Sequence, residues 1–261
     1  LEEIYVTARR KDESIQDVPI MLNGLTSDDL EKLNIRRFDE LETTVAGLTL
    51  TDDTLAPTSS LRGVRFDTFA GGSPSVEFYL NDAPGSPITI MQAMYDVGRV
   101  EVLRGPQGTL RGRASPSGSI TVTTAQAETD VFTGYVDTTL TTEGDGNVNA
   151  AINIPVIEDV LGMRLAGFWE DSSRNEVEND VSGKDSNYKG TAYRLSFNFQ
   201  PTDSLNVKLM HEIVKPERTV NSASESANIA DPNQPASPIF LRAGDRTAIS
   251  TTTTEAVQTL D

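Results

Sequence analysis

The sequence predicts a small α+β domain followed by a region of long antiparallel strands. Up to about residue 125, helix-start signals and short β-branched runs are interspersed and are separated by glycine and proline. Beyond that point come five runs of nine to eleven residues, most of which alternate apolar and polar side chains. No apolar run approaches the ~18 residues that a membrane-spanning helix needs. The chain therefore divides into two regions of different construction.

The first region contains two helix signals near its start. Thr26-Ser27-Asp28-Asp29 has the form of a capping box with acidic residues in the first turn, which predicts that a helix begins here. Phe38, Leu41 and Val45 recur at spacings of three and four residues, and they predict a second short helix that Gly47 ends. Short strands are then predicted at residues 47–51, 60–65 and 76–81, with a turn at Ala83–Pro87.

The clearest strand–turn–strand pattern of this region lies at residues 99–124. Arg99–Leu103 alternates charged and apolar residues, and Ile120–Thr124 is rich in β-branched residues, so both predict strands. The glycine-rich stretch between them invites comparison with a phosphate-binding loop. It lacks the Gly-Lys-Ser/Thr ending of that loop, and no helical period follows it, so the sequence argues against a nucleotide site.

One pattern runs through the first 125 residues in a fixed order. Its segments are EEIYVTARR at 2–10, QDVPI at 16–20, LRGVR at 61–65, PSVEFYLND at 74–82 and RVEVLRGPQGTL at 99–110. Together they resemble the TonB box and plug domain of TonB-dependent outer-membrane receptors. Arg111, where an aromatic residue is more usual, and Ala114–Ser117 depart from the family pattern and leave the shape of that loop open.

The resemblance implies a division of the chain and a role for it. Residues 1–15 would be the TonB box and linker, residues 16–125 the plug domain, and residues 126–261 the N-terminal portion of the β-barrel with its external loops. Such a receptor lies in the outer membrane of a Gram-negative bacterium, binds a scarce ligand such as a ferric siderophore outside, and imports it with energy transmitted by TonB. The implied partners are TonB with its inner-membrane energising complex, outer-membrane lipid, and a siderophore, haem, cobalamin, oligosaccharide or aromatic compound. No cofactor is implied.

The resemblance also indicates which residues would act. Strand addition would pair TonB with the TonB box, which comprises Glu3, Ile4, Tyr5, Val6, Thr7 and Ala8. The turns after the two central plug strands would contact ligand, through Phe66, Asp67, Phe69, Ser86 and Ile88. For the two phenylalanines, anchoring of the loop by an apolar side chain is an equally good interpretation. Contacts between plug and barrel are expected at Arg99, Glu101 and Arg104.

The second region has two features of a transmembrane barrel. Its runs fit tilted strands that cross a bilayer in ~9–11 residues. Short connections at 156–160 and 201–204 alternate with long ones at 172–189 and 216–254, as in outer-membrane barrels. The predicted fold class is therefore an α+β plug domain followed by antiparallel transmembrane β-barrel strands. Because the smallest barrels have ~8 strands, five strands predict an incomplete barrel, either a fragment or one piece of a larger assembly.

Composition narrows the function classes. A formal net charge of −17 argues against nucleic acid as a partner. The absence of cysteine and the single histidine, His211, leave little for thiolate or histidine chemistry, so we assign no catalytic or metal-binding residue and predict that the protein is not an enzyme. The acidic stretch 170–185 is more typical of a solvated loop than of a metal site. The alternative is a secreted or periplasmic non-catalytic module that binds carbohydrate or a surface, with an α+β domain and a β-sandwich.

Overall fold

A computed structural model describes most of the chain. The described residues are 5–6, 13–14, 22–51, 58–65, 74–85, 90–91, 94–106, 115–142, 144–173, 178–179, 184–185, 187–219 and 249–258. None of the helices formed by these residues is sufficiently long and apolar to cross a membrane.

The first region folds as a five-stranded sheet against one short helix and one 3₁₀-helix, which confirms the predicted α+β domain. The elements in chain order are β1 (Tyr5–Val6), β2 (Glu13–Ser14), β3 (Leu22–Thr26), α1 (Ser27–Lys32), the 3₁₀-helix (Phe38–Thr43), β4 (Leu48–Thr51), β5 (Thr58–Leu61), β6 (Val76–Leu80), β7 (Ala83–Gly85), β8 (Val97–Arg104) and β9 (Gly118–Thr124). The sheet order is β3-β8-β9-β6-β7, with β6 and β9 parallel and the other neighbours antiparallel; β1 pairs with β2, and β4 with β5.

The predicted capping box is confirmed at the start of α1. The Thr26 hydroxyl accepts from the Asp29 amide at 3.2 Å, and the Asp29 carboxylate accepts from the Thr26 amide at 3.0 Å. The bond from the Thr26 amide to the carboxylate, and then the bond from the Thr26 hydroxyl to it, lower the pKa of Asp29. The second predicted helix is a 3₁₀-helix whose Phe38 and Leu41 are buried against the apolar face of the five-stranded sheet.

Two local predictions differ from the structure. The turn predicted at Ala83–Pro87 is wrong in its position, because residues 83–85 form β7. The turn lies directly before that strand, at Asn81 and Asp82, whose φ values are 47° and 65°. A two-residue hairpin loop with both φ values positive matches strand twist, and Asn and Asp tolerate that conformation. The strand predicted at 60–65 ends at Leu61 because Arg62 and Gly63 also have positive φ.

The second region forms one six-stranded antiparallel sheet, which we call the wall. Its order is β10-β11-β12-β15-β16-β17, and β10 and β17 are its two unpaired edges among the described residues. An unclosed sheet of this kind is consistent with an incomplete barrel. The strands are β10 (Thr133–Leu140), β11 (Gly146–Ile157), β12 (Leu161–Ser172), β15 (Asn187–Thr202), β16 (Leu205–Thr219) and β17 (Ile249–Gln258), with a small hairpin of β13 (Glu178–Asn179) and β14 (Lys184–Asp185) between β12 and β15.

The wall exposes its apolar face and covers its polar face. Val136 is 74% exposed and Tyr193 58%, whereas Arg194 and Glu212, which lie on the opposite face, are each 5% exposed. A soluble sandwich would pack its apolar faces together. Apolar side chains outside and polar ones inside are instead the pattern of a membrane barrel.

Candidate functional site

The two regions meet where the chain enters β8. Tyr95 and Asp96 directly precede this strand, and both are buried against the inner face of the wall. Asp96 has a φ of 47°, and its backbone carbonyl accepts from the Ala125 amide at 2.9 Å. A non-glycine residue with positive φ persists when surrounding contacts hold it there. The contacts of Tyr95 and Asp96 therefore define the site.

The Asp96 carboxylate forms a buried ion pair between the two regions. Arg164 on β12 donates to it twice, from Nε to Oδ2 at 2.9 Å and from Nη2 to Oδ1 at 2.6 Å. Arg194 on β15 lies 3.8 Å away, and the Tyr135 hydroxyl on β10 donates at 3.2 Å. A bidentate guanidinium–carboxylate pair fixes direction as well as distance. Asp96 is thus bound to three strands of the wall at once.

Tyr95 is held by its ring and by its hydroxyl. The Arg194 guanidinium lies 4.3 Å from the centroid of the Tyr95 ring. The centroids of the Tyr95 and Phe168 rings are 5.6 Å apart. The hydroxyl donates to Glu212 Oε1 at 2.7 Å. Burial raises the pKa of the Tyr95 hydroxyl, so it stays protonated and remains a donor.

Arg194 connects the two residues. It donates to Glu212 Oε1 from Nη2 at 2.7 Å and from Nε at 3.1 Å, and to the carbonyl oxygens of Tyr95 and Asp96 at 3.4 and 3.2 Å. We call Tyr95, Asp96, Arg164, Arg194 and Glu212 the anchor cluster. Its two acids and two arginines balance in charge, so the buried ions compensate one another.

A patch of small side chains on the wall makes room for Tyr95. Ala151, Ala166 and Ala192 are buried there together with Phe168 and Val214, and Tyr95 completes this apolar cluster. Larger residues at the alanine positions would occupy the space of the ring. The patch is therefore shaped for one aromatic side chain.

Two further contacts join the regions away from the anchor cluster. Asn81 accepts from the Thr124 amide at 2.9 Å and donates to Met210 Sδ on β16 at 3.1 Å. Arg36, which follows α1, pairs with Asp137 on β10, and both side chains are 32% exposed. The Asn81–Met210 contact is partly buried, and the Arg36–Asp137 pair is partly exposed to solvent.

The predicted contact residues Arg99, Glu101 and Arg104 lie on β8. Arg99 pairs with Glu101 on the same strand at 3.0 Å, and Arg104 donates to Asn23 of β3 at 2.9 Å. These contacts lie within the five-stranded sheet, and contact of the three residues with the wall stays a prediction. The ion pairs to the wall described above are made instead by Asp96 and Arg36.

The other predicted residues lie mostly outside the described residues. This holds for the ligand candidates Phe66, Asp67, Phe69, Ser86 and Ile88, and for Glu3, Ile4, Thr7 and Ala8 of the TonB box. Tyr5 and Val6 form β1 and pair with Glu13–Ser14. Within the described part of the chain, no group of three or more metal-ligating side chains is present.

Sequence reasoning missed Tyr95 and Asp96 but had signals for their partners. Arg164, Arg194 and Glu212 are the charged residues on the polar faces of alternating strands, which predicts that they point inward. Nothing in the alternation indicates which inward charges meet a second domain. A short aromatic–acidic pair just before a buried strand is too common to predict a docking point.

Comparison with known proteins agrees with this architecture. The family model of the TonB-dependent receptor plug domain matches residues 14–119. The pesticin receptor of Yersinia pestis is 32% identical over 117 residues, an alignment that covers 43% of this chain and 17% of the receptor. The iron-regulated outer membrane virulence protein of Vibrio cholerae is 22% identical over 243 residues, which is 87% of this chain and 36% of that protein. The chain therefore spans well under half the length of these relatives.

Solved structures share the fold. The ferric yersiniabactin uptake receptor FyuA from Yersinia pestis has a TM-score of 0.69 at 22% identity, over 77% of this chain and 32% of that one. The P. aeruginosa receptor FpvA, solved with pyoverdine and iron, has a TM-score of 0.69 at 16% identity, over 95% of this chain and 32% of that one. The five-stranded unit corresponds to the plug and the wall to barrel strands. The comparisons identify residues 14–119 as a TonB-dependent receptor plug domain, followed by antiparallel strands that share the fold of the barrels in solved outer-membrane receptors.

Proposed function

We propose that the receptor containing this chain imports a small-molecule ligand, such as a ferric siderophore, across the outer membrane with energy that TonB transmits. The observation that carries this proposal is the anchor cluster. It binds the plug to the inner face of the wall through paired charges around a single aromatic ring. The names of the yersiniabactin and pyoverdine receptors support a siderophore as the ligand.

The chemistry of the interface suits a plug that must move. Outside the small patch around Tyr95, ion pairs and hydrogen bonds at Asp96, Asn81 and Arg36 join the described residues of plug and wall. Water can replace such partners when the surfaces separate, whereas an apolar core would expose surface at about 25 cal/mol per Å². The interface is therefore specific in the closed state and can be hydrated in an open one.

Force would reach the plug from its N-terminal end. The segment Glu3–Ala8 would add as a strand to TonB, with affinity from main-chain hydrogen bonds. Tension on that strand acts on the plug while the anchor cluster holds the start of β8 to the wall. The ligand would pass where the plug separates from the wall. This transport requires no covalent chemistry.

Deletion of residues 2–8 from the intact receptor tests this function. We expect binding of radio-iron siderophores to cells to be retained and their uptake to be lost, because the deletion removes only the segment that pairs with TonB. Siderophores of the catecholate, hydroxamate and phenolate classes would each be supplied under iron limitation. Unchanged uptake of a siderophore that the receptor binds would contradict the proposal.

Two controls separate the alternatives. A scrambled sequence at residues 2–8 keeps the length of the N-terminal segment, so loss of uptake in both variants assigns the effect to the TonB box. Cell fractionation checks the location of the intact receptor. Recovery in the soluble periplasm would contradict an outer-membrane receptor and favour the soluble binding module.

A further inference from the structure

A second feature of the plug–wall interface is an open cavity of about 260 Å³ beside the Arg36–Asp137 pair. One side is formed by the plug segment after α1, with Asn34, Arg36 and Arg37. The other side is formed by the β10–β11 hairpin and the end of β12, with Asp145 and Glu170. We call this space the outer cavity, because it lies at the end of the wall opposite the short turns, the end that faces outside in outer-membrane barrels.

The two sides of the outer cavity carry opposite charge. The plug side presents the Arg36 guanidinium, whereas the neighbouring Arg37 guanidinium is paired with Asp39. Glu40 on that side accepts from the backbone amides of Arg36 and Arg37, at 2.6 and 3.0 Å. The wall side presents the carboxylates of Asp145 and Glu170. A ligand with only one kind of charge would be repelled by the side of the cavity that carries the same charge. The charge distribution therefore favours a ligand that carries both a positive and a negative group.

The remaining lining is hydrophilic. Thr139 and Ser172 contribute hydroxyls, and Asn34 contributes an amide; no aromatic or aliphatic side chain is among the described residues that line the cavity. Ligand pockets usually combine an apolar lining with a few polar groups. This lining instead suits a strongly hydrogen-bonding group. The volume lies below the ~300–1,000 Å³ of a pocket for a whole drug-sized ligand, so only part of a larger ligand would enter.

We propose that the outer cavity binds a zwitterionic portion of the imported ligand, with an anionic group at Arg36 and a cationic group at Asp145 and Glu170. This inference rests on the proposed import function and names the chemistry of one subsite. Peptide-like or amino-acid-like groups carry such paired charges.

The position of Arg36 links this subsite to the plug–wall contact. Arg36 Nε donates to Asn34 Oδ1 at 3.2 Å, and its Nη1 pairs with Asp137. A ligand carboxylate at Arg36 competes with Asp137 for the same guanidinium. Occupancy of the cavity therefore weakens one contact between plug and wall while the anchor cluster stays in place.

Saturation-transfer difference NMR on the intact receptor in detergent tests the charge requirement with three probes. The dipeptide alanylalanine carries both charges, its N-acetyl form only the negative charge, and its amide only the positive charge. We expect alanylalanine to bind at least about tenfold more tightly than either derivative, the factor for one lost charge-assisted hydrogen bond. No binding of alanylalanine, or equal binding of the three probes, would overturn the inference.

Charge-neutralising variants then locate the binding. Arg36→Gln and Asp145→Asn are each expected to weaken alanylalanine binding about tenfold. Asp145→Asn leaves the Arg36–Asp137 pair intact, so its effect does not depend on plug docking. The matched controls are Arg65→Gln, at an exposed position of the plug, and Glu158→Gln, in the turn at the other end of the wall; both are expected to leave binding unchanged.

The outcomes of the two tests are distinguishable. If alanylalanine binding is absent or indifferent to Arg36→Gln and Asp145→Asn, while deletion of residues 2–8 still abolishes uptake, the cavity inference fails and the import function stands. If the deletion leaves uptake unchanged, the import function fails whatever the probes show.

Discussion

Replacing Asp96 with asparagine removes one charge from the anchor cluster and keeps the size of the side chain. The Arg164 guanidinium, which is 11% exposed as a side chain, then faces an amide in place of a carboxylate, and Arg194 loses a carboxylate 3.8 Å away. Removing one partner of a buried ion pair typically costs ~3–5 kcal/mol, because the other charge is left uncompensated. Since some water reaches Arg164, we expect the lower value of about 3 kcal/mol, which is roughly 100-fold in the equilibrium between closed and released plug.

Hydrogen exchange by mass spectrometry on the intact receptor measures this equilibrium. Amides of β8 and β9 exchange when the plug is released and opens, so we expect their exchange in Asp96→Asn to be about 100-fold faster than in the wild type. The control is Asp28→Asn, which removes the same charge from an exposed position in the first turn of α1. Its effect should stay within about fivefold, since charge near a helix N-terminus contributes only ~0.3–1 kcal/mol.

A double-mutant cycle with Arg164→Gln decides whether the ion pair is the cause. In Asp96→Asn/Arg164→Gln neither side chain is charged, so we expect the double variant to recover about 2 kcal/mol relative to the sum of the single effects. Effects that add to within about 0.5 kcal/mol would refute the pairing argument. An Asp96→Asn effect no larger than that of Asp28→Asn would refute the anchor cluster itself.

Three other variants test separate parts of the plug. Tyr95→Phe keeps the ring and removes one buried hydroxyl, so exchange in β8 should rise by about tenfold (~1–1.5 kcal/mol); an effect as large as that of Tyr95→Ala would contradict this. Gly118 has a φ of 152°, and a methyl group added there would clash with a backbone carbonyl of β8, so Gly118→Ala should lower the free energy of unfolding of the plug in urea by more than ~3 kcal/mol. Gly63 also has a positive φ but has no atom within 4 Å of an added methyl group, so the control Gly63→Ala should cost only ~1 kcal/mol. Similar losses in the two variants would refute the steric argument. Thr26→Ala should cost ~1 kcal/mol near neutral pH. Because the pKa of Asp29 is lowered in the folded state, the stability that its carboxylate adds to the cap is present above the unfolded-state pKa and is lost as pH falls through the folded-state pKa. A difference in unfolding free energy between the wild type and Thr26→Ala that does not change with pH would contradict the cap.

Local sequence signals predicted most of the elements of the fold. The capping box at Thr26 predicted the start of α1, the alternation in Arg99–Leu103 predicted β8, and the β-branched residues of Ile120–Thr124 predicted β9. Local patterns predicted these elements because each is determined by neighbours in the chain: a cap, a period or a glycine-rich turn. The turn at Asn81–Asp82 was missed because Pro84 and Gly85, which follow it, are strong turn signals in a sequence. In the structure these two residues lie in β7, and the turn precedes them.

The sixth strand of the wall shows where local signals end. Sequence analysis assigned residues 216–254 to a long connection, but β16 continues to Thr219 and β17 begins at Ile249. The run Thr251–Thr254 has no apolar alternation, so it carries no periodic signal. Its β-branched threonines suit a strand, and pairing with β16 at Met210 and its neighbours supplies the context that the sequence alone does not.

Contact between plug and wall depends on a different kind of signal. Alternation predicts that Arg194 and Glu212 face inward, but it makes the same prediction for every inward polar residue of a barrel, whether or not a plug covers it. The local exception is informative: Ala151, Ala166 and Ala192 replace polar residues at inward positions, and the Tyr95 ring occupies the space they leave. Small apolar residues grouped on the polar side of neighbouring strands cannot be explained by lipid or by water. They are explained by a second surface that covers them, and in this structure that surface is the Tyr95 side chain of the plug.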